Sequence, residues 1–305
     1  MGWRQVPGYA PSDAAYEPAV AALGGLRGRL AQLQQLGAFR EDVALDEVVA
    51  AWTVLMGAAT SAWLRAAGHE VIGVDVHDAE VVADLSEHQG REEALSEISA
   101  LCRGRLDGVA TFAGLVGLSD RPAHLLASVN YFGTVTLLEG LRPMLAKAGT
   151  SFALAVCSNS MTCQPGISED LVQALLSGDE AHAREVADEG PSVMAYPATK
   201  TALARWLRRA APTPDWIGAG IRLNAIAPGV VETAMVAETR ADPVLGQLIK
   251  GFSVPIGRGA EPSELAELAG FMLTKATFMV GSVVLVDGGT EAELRPDVYP
   301  TAWAL

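Results

Sequence analysis

Apolar positions along this chain follow two periodicities. From residue 52 onward, β-branched runs alternate with stretches of helical spacing. The runs are TVLM (53–56), EVIGVDV (70–76), DGVATFAG (107–114), SFALAVCS (151–158), GIRLNAIAPG (220–229) and GSVVLVDGG (281–289). The helical stretches fall at about 91–103, 121–147, 196–210 and 262–274. Runs that are apolar throughout, rather than at alternate positions, belong to strands covered on both faces. Strands alternating with helices build a parallel sheet. The pattern predicts a single doubly wound, Rossmann-type α/β domain over residues 51–305. Ahead of it, AAYEPAVAALGGLRGRLAQLQQLG (14–37) and EDVALDEVVAA (41–51) read as helices, the first capped by Ser12 or Asp13 and weakened by Gly24 and Gly25. Residues 1–50 are therefore expected to form a helical N-terminal extension.

Composition narrows the class. Half of the 305 residues are hydrophobic and 19% are charged, enough apolar material for one large core. The formal charge of −14 argues against nucleic acid or an anionic membrane as partner. No run has the length of a membrane span, and the N-terminus lacks a basic-then-apolar leader, so a cytoplasmic protein is expected. Cys102, Cys157 and Cys163 form no metal or disulfide framework, and the five histidines are scattered.

In a doubly wound sheet, ligands sit beyond the C-terminal ends of the strands, so the residues there carry the functional reading. Asp75 ends the second run, where a carboxylate accepts ribose hydroxyls, although an aspartate there also serves as a loop cap. Asp84 and Leu85 follow a short turn later, and Ala113 and Gly114 end the third run. Asn130 lies in SVNYFG on the next helix, and Ser158 ends SFALAVCS. Tyr196 and Lys200, in YPATK, are one helical turn apart and share a face. Pro228, Gly229, Val231 and Thr233 follow the next run.

In this order, those residues resemble the short-chain dehydrogenase/reductase family from about residue 52 to the C-terminus. The texture is nearest the bacterial 3α-hydroxysteroid dehydrogenase/carbonyl reductase branch, which is similar in AAGHEVIGVDVHDAEVVADLS, SVNYFGT, AEPSE and GGTEAELRP. The resemblance implies a catalytic set of Ser158, Tyr196, Lys200 and Asn130. Tyr196 is the acid/base, and Lys200 lowers its pKa and anchors a ribose. Ser158 holds the substrate oxygen, and Asn130 helps position a water on a proton path. It also implies Gly57, Asp75, Asp84, Leu85, Ala113, Gly114, Pro228, Gly229, Val231 and Thr233 as cofactor contacts. The carboxylate of Asp75 favours NAD(H) over its 2′-phosphorylated counterpart. A homodimer or homotetramer is the family habit.

One motif departs from the family. T-G-x-x-x-G-x-G should follow the first strand, but here Gly57-Ala58-Ala59-Thr60 continues into Ser61 and Trp63, the positions of the second and third glycines if no gap is allowed. Alternatively, a short segment after Thr60 is absent. Only thirteen residues separate Met56 from Glu70. A helix over 60–67 spans about 12 Å, against roughly 17–20 Å of return path along the strands. The expectation is a helix set low on the sheet, its N–H groups drawn away from a pyrophosphate. The extension then fills the vacated volume, or patches the sheet, or makes an oligomer contact.

Two segments are candidate lids. The 37 residues between Ser158 and Tyr196 exceed the family's usual spacing. The surplus, about 163–193, reads as two short helices broken at Ser177-Gly178 with an apolar stripe of Leu171, Val172, Leu175 and Leu176. As in the hydroxysteroid branch, it is read as a lid over a bulky apolar substrate, against the alternative of a surface elaboration. A second, VAETRADPVLGQLIKGFSV (236–254), lies where the family places its substrate loop. A non-catalytic binding or scaffold protein is a third possibility, against which the retention of all four catalytic-type residues counts; two enzymatic functions lead. One is an NAD(H)-dependent oxidoreductase acting on a hydroxyl or ketone. The other is a cofactor-independent isomerase, lyase, dehydratase or cyclase using Ser158, Tyr196 and Lys200 for proton transfer. Halohydrin dehalogenases, similar to this family and lacking the cofactor, give the second a precedent, though they replace the lysine by arginine.

Overall fold

The computed structural model describes residues 55–250 and 252–298. The two helices expected within 1–50 lie outside them. The elements, in chain order, are α1 (Leu55–Ala66), β1 (Val74–Asp75), β2 (Val81–Val82), α2 (His88–Leu101), β3 (Gly108–Thr111) and α3 (Ala123–Leu126). A π-helical turn (Ala127–Gly133), α4 (Thr134–Ala146) and β4 (Ser151–Val156) follow. Then come α5 (Ser160–Cys163), α6 (Glu169–Leu176), α7 (Glu180–Asp188), α8 (Ser192–Ala210), β5 (Ile221–Pro228), α9 (Ala234–Ala241), α10 (Leu245–Lys250), α11 (Pro262–Thr274), β6 (Val283–Val286) and α12 (Thr290–Leu294).

Strands β3-β4-β5-β6 form one parallel sheet in sequence order. β4 is buried along its whole length, and its alternate residues serve different layers. Ala153, Ala155 and Cys157 face the layer containing α8, where their small size lets the helix approach. Phe152, Leu154 and Val156 face the layer of α11, with Ile226 of β5 beside them. A sheet apolar on both faces is what the unbroken runs predict, and the doubly wound architecture follows.

The N-terminal side of the sheet differs from expectation. Leu55 and Met56, read as the end of the first strand, are helical, and Thr53 and Val54 lie outside the described residues. Of EVIGVDV only Val74 and Asp75 pair, in a separate two-stranded parallel sheet with Val81 and Val82. Among the described residues no strand pairs with the outer edge of β3.

The shortened helix is corrected too. α1 is twelve residues long and so spans about 18 Å, close to a full crossover. It is long because it begins at Leu55, inside the run assigned to the strand. Trp63 occupies no phosphate position: it packs on α11, where a Cβ added at Gly270 would lie 2.4 Å from the indole. A flat aromatic ring against a bare glycine lets α1 and α11 pack closely.

The insertion is built into the core. Ser168 caps α6 through the Leu171 N–H (3.2 Å) and Asp179 caps α7 through that of His182 (3.0 Å), with Gly178 between them at φ +81°. The predicted break at Ser177-Gly178 is where the helices part. The apolar stripe of α6 (Leu171, Val172 and Leu175, all buried) joins Ala195, Ala198 and Leu203 of α8 in one cluster. The stripe of the insertion is packed on the helix that carries Tyr196.

The second candidate lid forms α9 and α10. Asp242, between them, accepts from the Val244 and Leu245 N–H groups (both 2.8 Å) and, across the fold, from Ser119 N and Ser119 Oγ (both 2.8 Å). These donors hold its carboxyl far below the usual carboxylate range, led by the Ser119 backbone bond. The residue thus fastens the lid to the loop after β3. Asp242→Ala is expected to speed proteolytic cleavage within 234–250 severalfold while leaving the unfolding midpoint of the sheet domain nearly unchanged. An unaltered cleavage rate would show that the lid is held elsewhere.

Candidate active site

The predicted catalytic residues converge at the C-terminal end of β4, each delivered by a different element. Ser158 stands two residues beyond the strand, where Asn159 N donates to Pro228 O (2.9 Å) and keeps the chain beside β5. Its Oγ accepts from Ser160 N (3.2 Å), and it hydrogen-bonds Tyr196. Tyr196 and Lys200 project from the same face of α8, with the ammonium 5.8 Å from the phenol ring centroid. Pro197, inside the helix, removes the N–H that would reach the Val193 carbonyl; Gln164 Nε2 takes that carbonyl instead (3.2 Å). The start of the insertion is thereby pinned beside the tyrosine.

Lys200 is 5% exposed, and its Nζ donates to the Val156 carbonyl at 2.9 Å. Burial lowers its pKa to about 8, the neighbouring Cys157 opposing the shift. Tyr196 departs from the expectation. Burial raises its pKa, the Ser158 hydrogen bond offsets part of this, and Cys157 adds to the rise. The lowering expected from Lys200 is not among the causes: the lysine, at about 8, gives up its proton below the range in which the phenol ionises. Cys157 is fully enclosed, and burial pushes its thiol up to about 12 while Lys200 opposes that rise.

Asn130 sits in the π-helical turn, part of what was expected to be one continuous helix over 121–147. Its carboxamide is fully used. Oδ1 accepts from Leu115 N (2.7 Å), and Nδ2 donates to Leu115 O (2.9 Å) and Thr199 Oγ1 (3.3 Å). The residue therefore locks the loop after β3 onto α8. Gly114 lies in the crook: a Cβ there would stand 3.3 Å from Asn130 Oδ1 and 3.5 Å from Lys200 Nζ. Thr199 and the Leu115 backbone were missed in the sequence. Thr199 sits inside YPATK, but only the fold shows that its hydroxyl meets Asn130.

The predicted cofactor contacts fall into three groups. Ala113 and Gly114 are beside Asn130 and Lys200. Pro228 ends β5 and Gly229 presses on Asp287, 2.7 Å from a notional Cβ; Val231 bridges Ala260, and Thr233 leads into α9. Asp75, Asp84 and Leu85 form the third group at the end of β1 and β2. There a cleft of about 590 Å³ is lined by residues including Val76, His77, Ala83 and Asp84. Gly57 stands apart from its expected place. It lies within the first turn of α1, and a Cβ there would touch Phe112 at 3.5 Å. The contact is an ordinary one, so the structure shows Gly57 packed in a helix and not in a strand-to-helix turn. No group of metal-ligating residues is present among the described residues.

Comparisons with known proteins agree with this geometry. Residues 180–291 match the family model described as enoyl-(acyl carrier protein) reductase. The chain is 38% identical over 248 residues to the 3-alpha-hydroxysteroid dehydrogenase/carbonyl reductase of Comamonas testosteroni, covering 80% of this chain and 95% of that protein. It is 29% identical over 244 residues to a coniferyl-alcohol dehydrogenase of Pseudomonas sp., covering 77% and 91%. Among solved structures, the 3-alpha-hydroxysteroid dehydrogenase from Pseudomonas sp. B-0831, complexed with NADH, is 42% identical with a TM-score of 0.76, covering 80% of this chain and 96% of that one. Ordered catalytic residues, a parallel sheet and similarity over four-fifths of the length converge on one conclusion: the chain belongs to the short-chain dehydrogenase/reductase family of oxidoreductases.

Proposed function

We propose that the protein is an NAD(H)-dependent oxidoreductase that interconverts a hydroxyl and a ketone on a bulky apolar substrate of steroid-, terpenoid- or polyketide-like chemistry. The observation that carries this reading is the convergence of Ser158, Tyr196 and Lys200 at one strand end, with Asn130 locking the adjoining loop. The named activities of its relatives support redox chemistry over the cofactor-independent alternative.

The described residues suit a dinucleotide at its two ends. Lys200 has three donors and spends one on Val156 O, leaving two for ribose hydroxyls. Gly114 keeps the space beside it clear. Asp84 lines the cleft at the far end, and Asp75, which accepts from the His77 N–H (3.3 Å), directly precedes Val76 of its wall; a carboxylate there favours NAD(H). Between these ends no glycine-rich turn stands among the described residues, so the ends carry most of the affinity. A bound nicotinamide supplies or accepts the hydride. Ser158 Oγ, oriented by the Ser160 N–H, holds the substrate oxygen beside the tyrosine. Tyr196 Oη gives its proton to that oxygen as ketone becomes alcohol, and recovers it in the reverse direction. Asn130 acts by holding the loop and Thr199 around Lys200, beside the water-borne path that replaces the proton. An apolar substrate is supported by the second lid segment, which exposes Val244 and Phe252. A cytoplasmic homodimer or homotetramer completes the proposal.

Titration with NADH and NADPH, followed by nicotinamide fluorescence, is expected to give saturable binding that favours NADH. Silence with both would shift the reading to proton-transfer chemistry without a cofactor. Tyr196→Phe is expected to lower kcat/KM on hydrophobic cyclic ketones by about 10²–10⁴ with the NADH dissociation constant unchanged. Lys200 is charged below its pKa of about 8 and neutral above it. Reduction is therefore expected to weaken as pH rises through about 8; a pH profile of kcat/KM that stays flat to pH 9.5, roughly 1.5 units beyond, would remove Lys200 charge from the mechanism.

A further inference from the structure

Among the described residues, the most deeply buried charge outside the candidate active site is Arg91. The sequence of α2, HQGREEALSEISAL, places it with Gly90, Ala94 and Ile98 on the face turned to the core, and it is 2% exposed. A guanidinium at an apolar position needs a counter-charge and acceptors. Nη1 donates to the Leu85 carbonyl (3.0 Å) and to Glu180 Oε1 (3.3 Å), and Nη2 bonds Glu180 Oε2. Glu180 opens α7, in the insertion, 89 residues further along the chain.

The carbonyl that Arg91 holds belongs to the segment read as the adenine end of the cofactor site. Asp84 and Leu85 are wedged there from both sides. A Cβ at Gly90 would lie 2.1 Å from the Asp84 carbonyl oxygen, and one at Gly133 would lie 3.2 Å from the Leu85 oxygen. Two further polar ties from α7 reach the helix that carries Asn130. Arg184 Nη1 donates to Ser128 Oγ (3.0 Å), and Asp188 Oδ1 accepts from His124 N (2.9 Å), with its Oδ2 2.7 Å from His124 Nδ1. A mere surface elaboration has no need of a buried ion pair aimed at residues 84–85.

We propose that Glu180 and Arg91 are positioning residues for the dinucleotide: through them the insertion holds the Asp84–Leu85 backbone in adenine-binding geometry and sets cofactor affinity. The proposal rests on the NAD(H) reading. Without Glu180, the guanidinium is a buried charge lacking its counter-ion, and its relief is to swing toward solvent and release the Leu85 carbonyl. With no glycine turn among the described residues, a loosened adenine end is poorly compensated elsewhere.

The test measures binding of NADH and of reduced nicotinamide mononucleotide, which lacks the adenosine half, to the full-length protein by fluorescence. Glu180→Ala is expected to weaken NADH about tenfold and to leave the mononucleotide unchanged. Where that variant does not fold, Glu180→Gln, which keeps the shape and loses the charge, is judged by the same criterion. Arg91→Met combined with Glu180→Leu removes both charges, and is expected to recover the unfolding midpoint without recovering NADH affinity. Equal weakening of both ligands, or wild-type NADH affinity in either variant, overturns the proposal. Failure of the wild-type protein to bind NADH overturns the functional reading instead.

Discussion

The ammonium of Lys200 is held almost out of water beneath the end of β4, one hydrogen bond from the Val156 carbonyl and less than 6 Å from the ring of Tyr196. Burying a cation is costly unless its surroundings are arranged for it, and the arrangement explains much of the local structure. β4 stops at Val156 so that a carbonyl is free to accept. α8 runs past the strand end so that residues one turn apart face it together. Gly114 leaves the space beside Nζ open, and Asn130 spends its whole amide on keeping the neighbouring loop there. The same desolvation raises the phenol of Tyr196, which Ser158 partly offsets. Acid–base chemistry at this site is a balance struck by burial, with hydrogen bonds making the correction.

The insertion between Ser158 and Tyr196 belongs to that arrangement. Its two helices bury their stripe on α8 and tie their polar ends to Leu85, Ser128 and His124 by way of Arg91, Arg184 and Asp188. An amphipathic pair does this when the neighbouring core offers an apolar face, since leaving four large aliphatic residues over an open cleft would expose them whenever the cleft is empty. The segment of α9 and α10, with Val244 and Phe252 exposed and Asp242 fastened to Ser119, is the other candidate cover.

At the other end of the sheet, residues of the expected glycine motif serve helix packing. Gly57 survives as the residue that seats α1 against Phe112, and Trp63 braces that helix on α11. Asn130 holds the loop at one end of the proposed cofactor site, and the Arg91–Glu180 pair lies behind the backbone at the other.

Much of this was legible in the residue order. Unbroken apolar runs at 107–114, 151–158, 220–229 and 281–289 predict parallel strands, and all four became β3 to β6, with β4 and β5 buried nearly throughout while Gly108 of β3 and Leu285 of β6 are exposed. YPATK specifies two groups on one helical face through the 3.6-residue repeat alone, and the capped pair of helices in the insertion was equally local. What the sequence by itself did not decide was whatever depends on competition between distant partners. TVLM has strand composition, yet Leu55 and Met56 begin a helix that packs along α11. The stripe of Leu171, Val172 and Leu175 is the same whether it faces substrate or core. Arg91 looks like one more charge on an exposed helix until Glu180, far along the chain, is brought against it. Tyr196 and Lys200 announce a proton donor, but the direction of its pKa shift is set by how much water the fold removes, and only packing in three dimensions determines that.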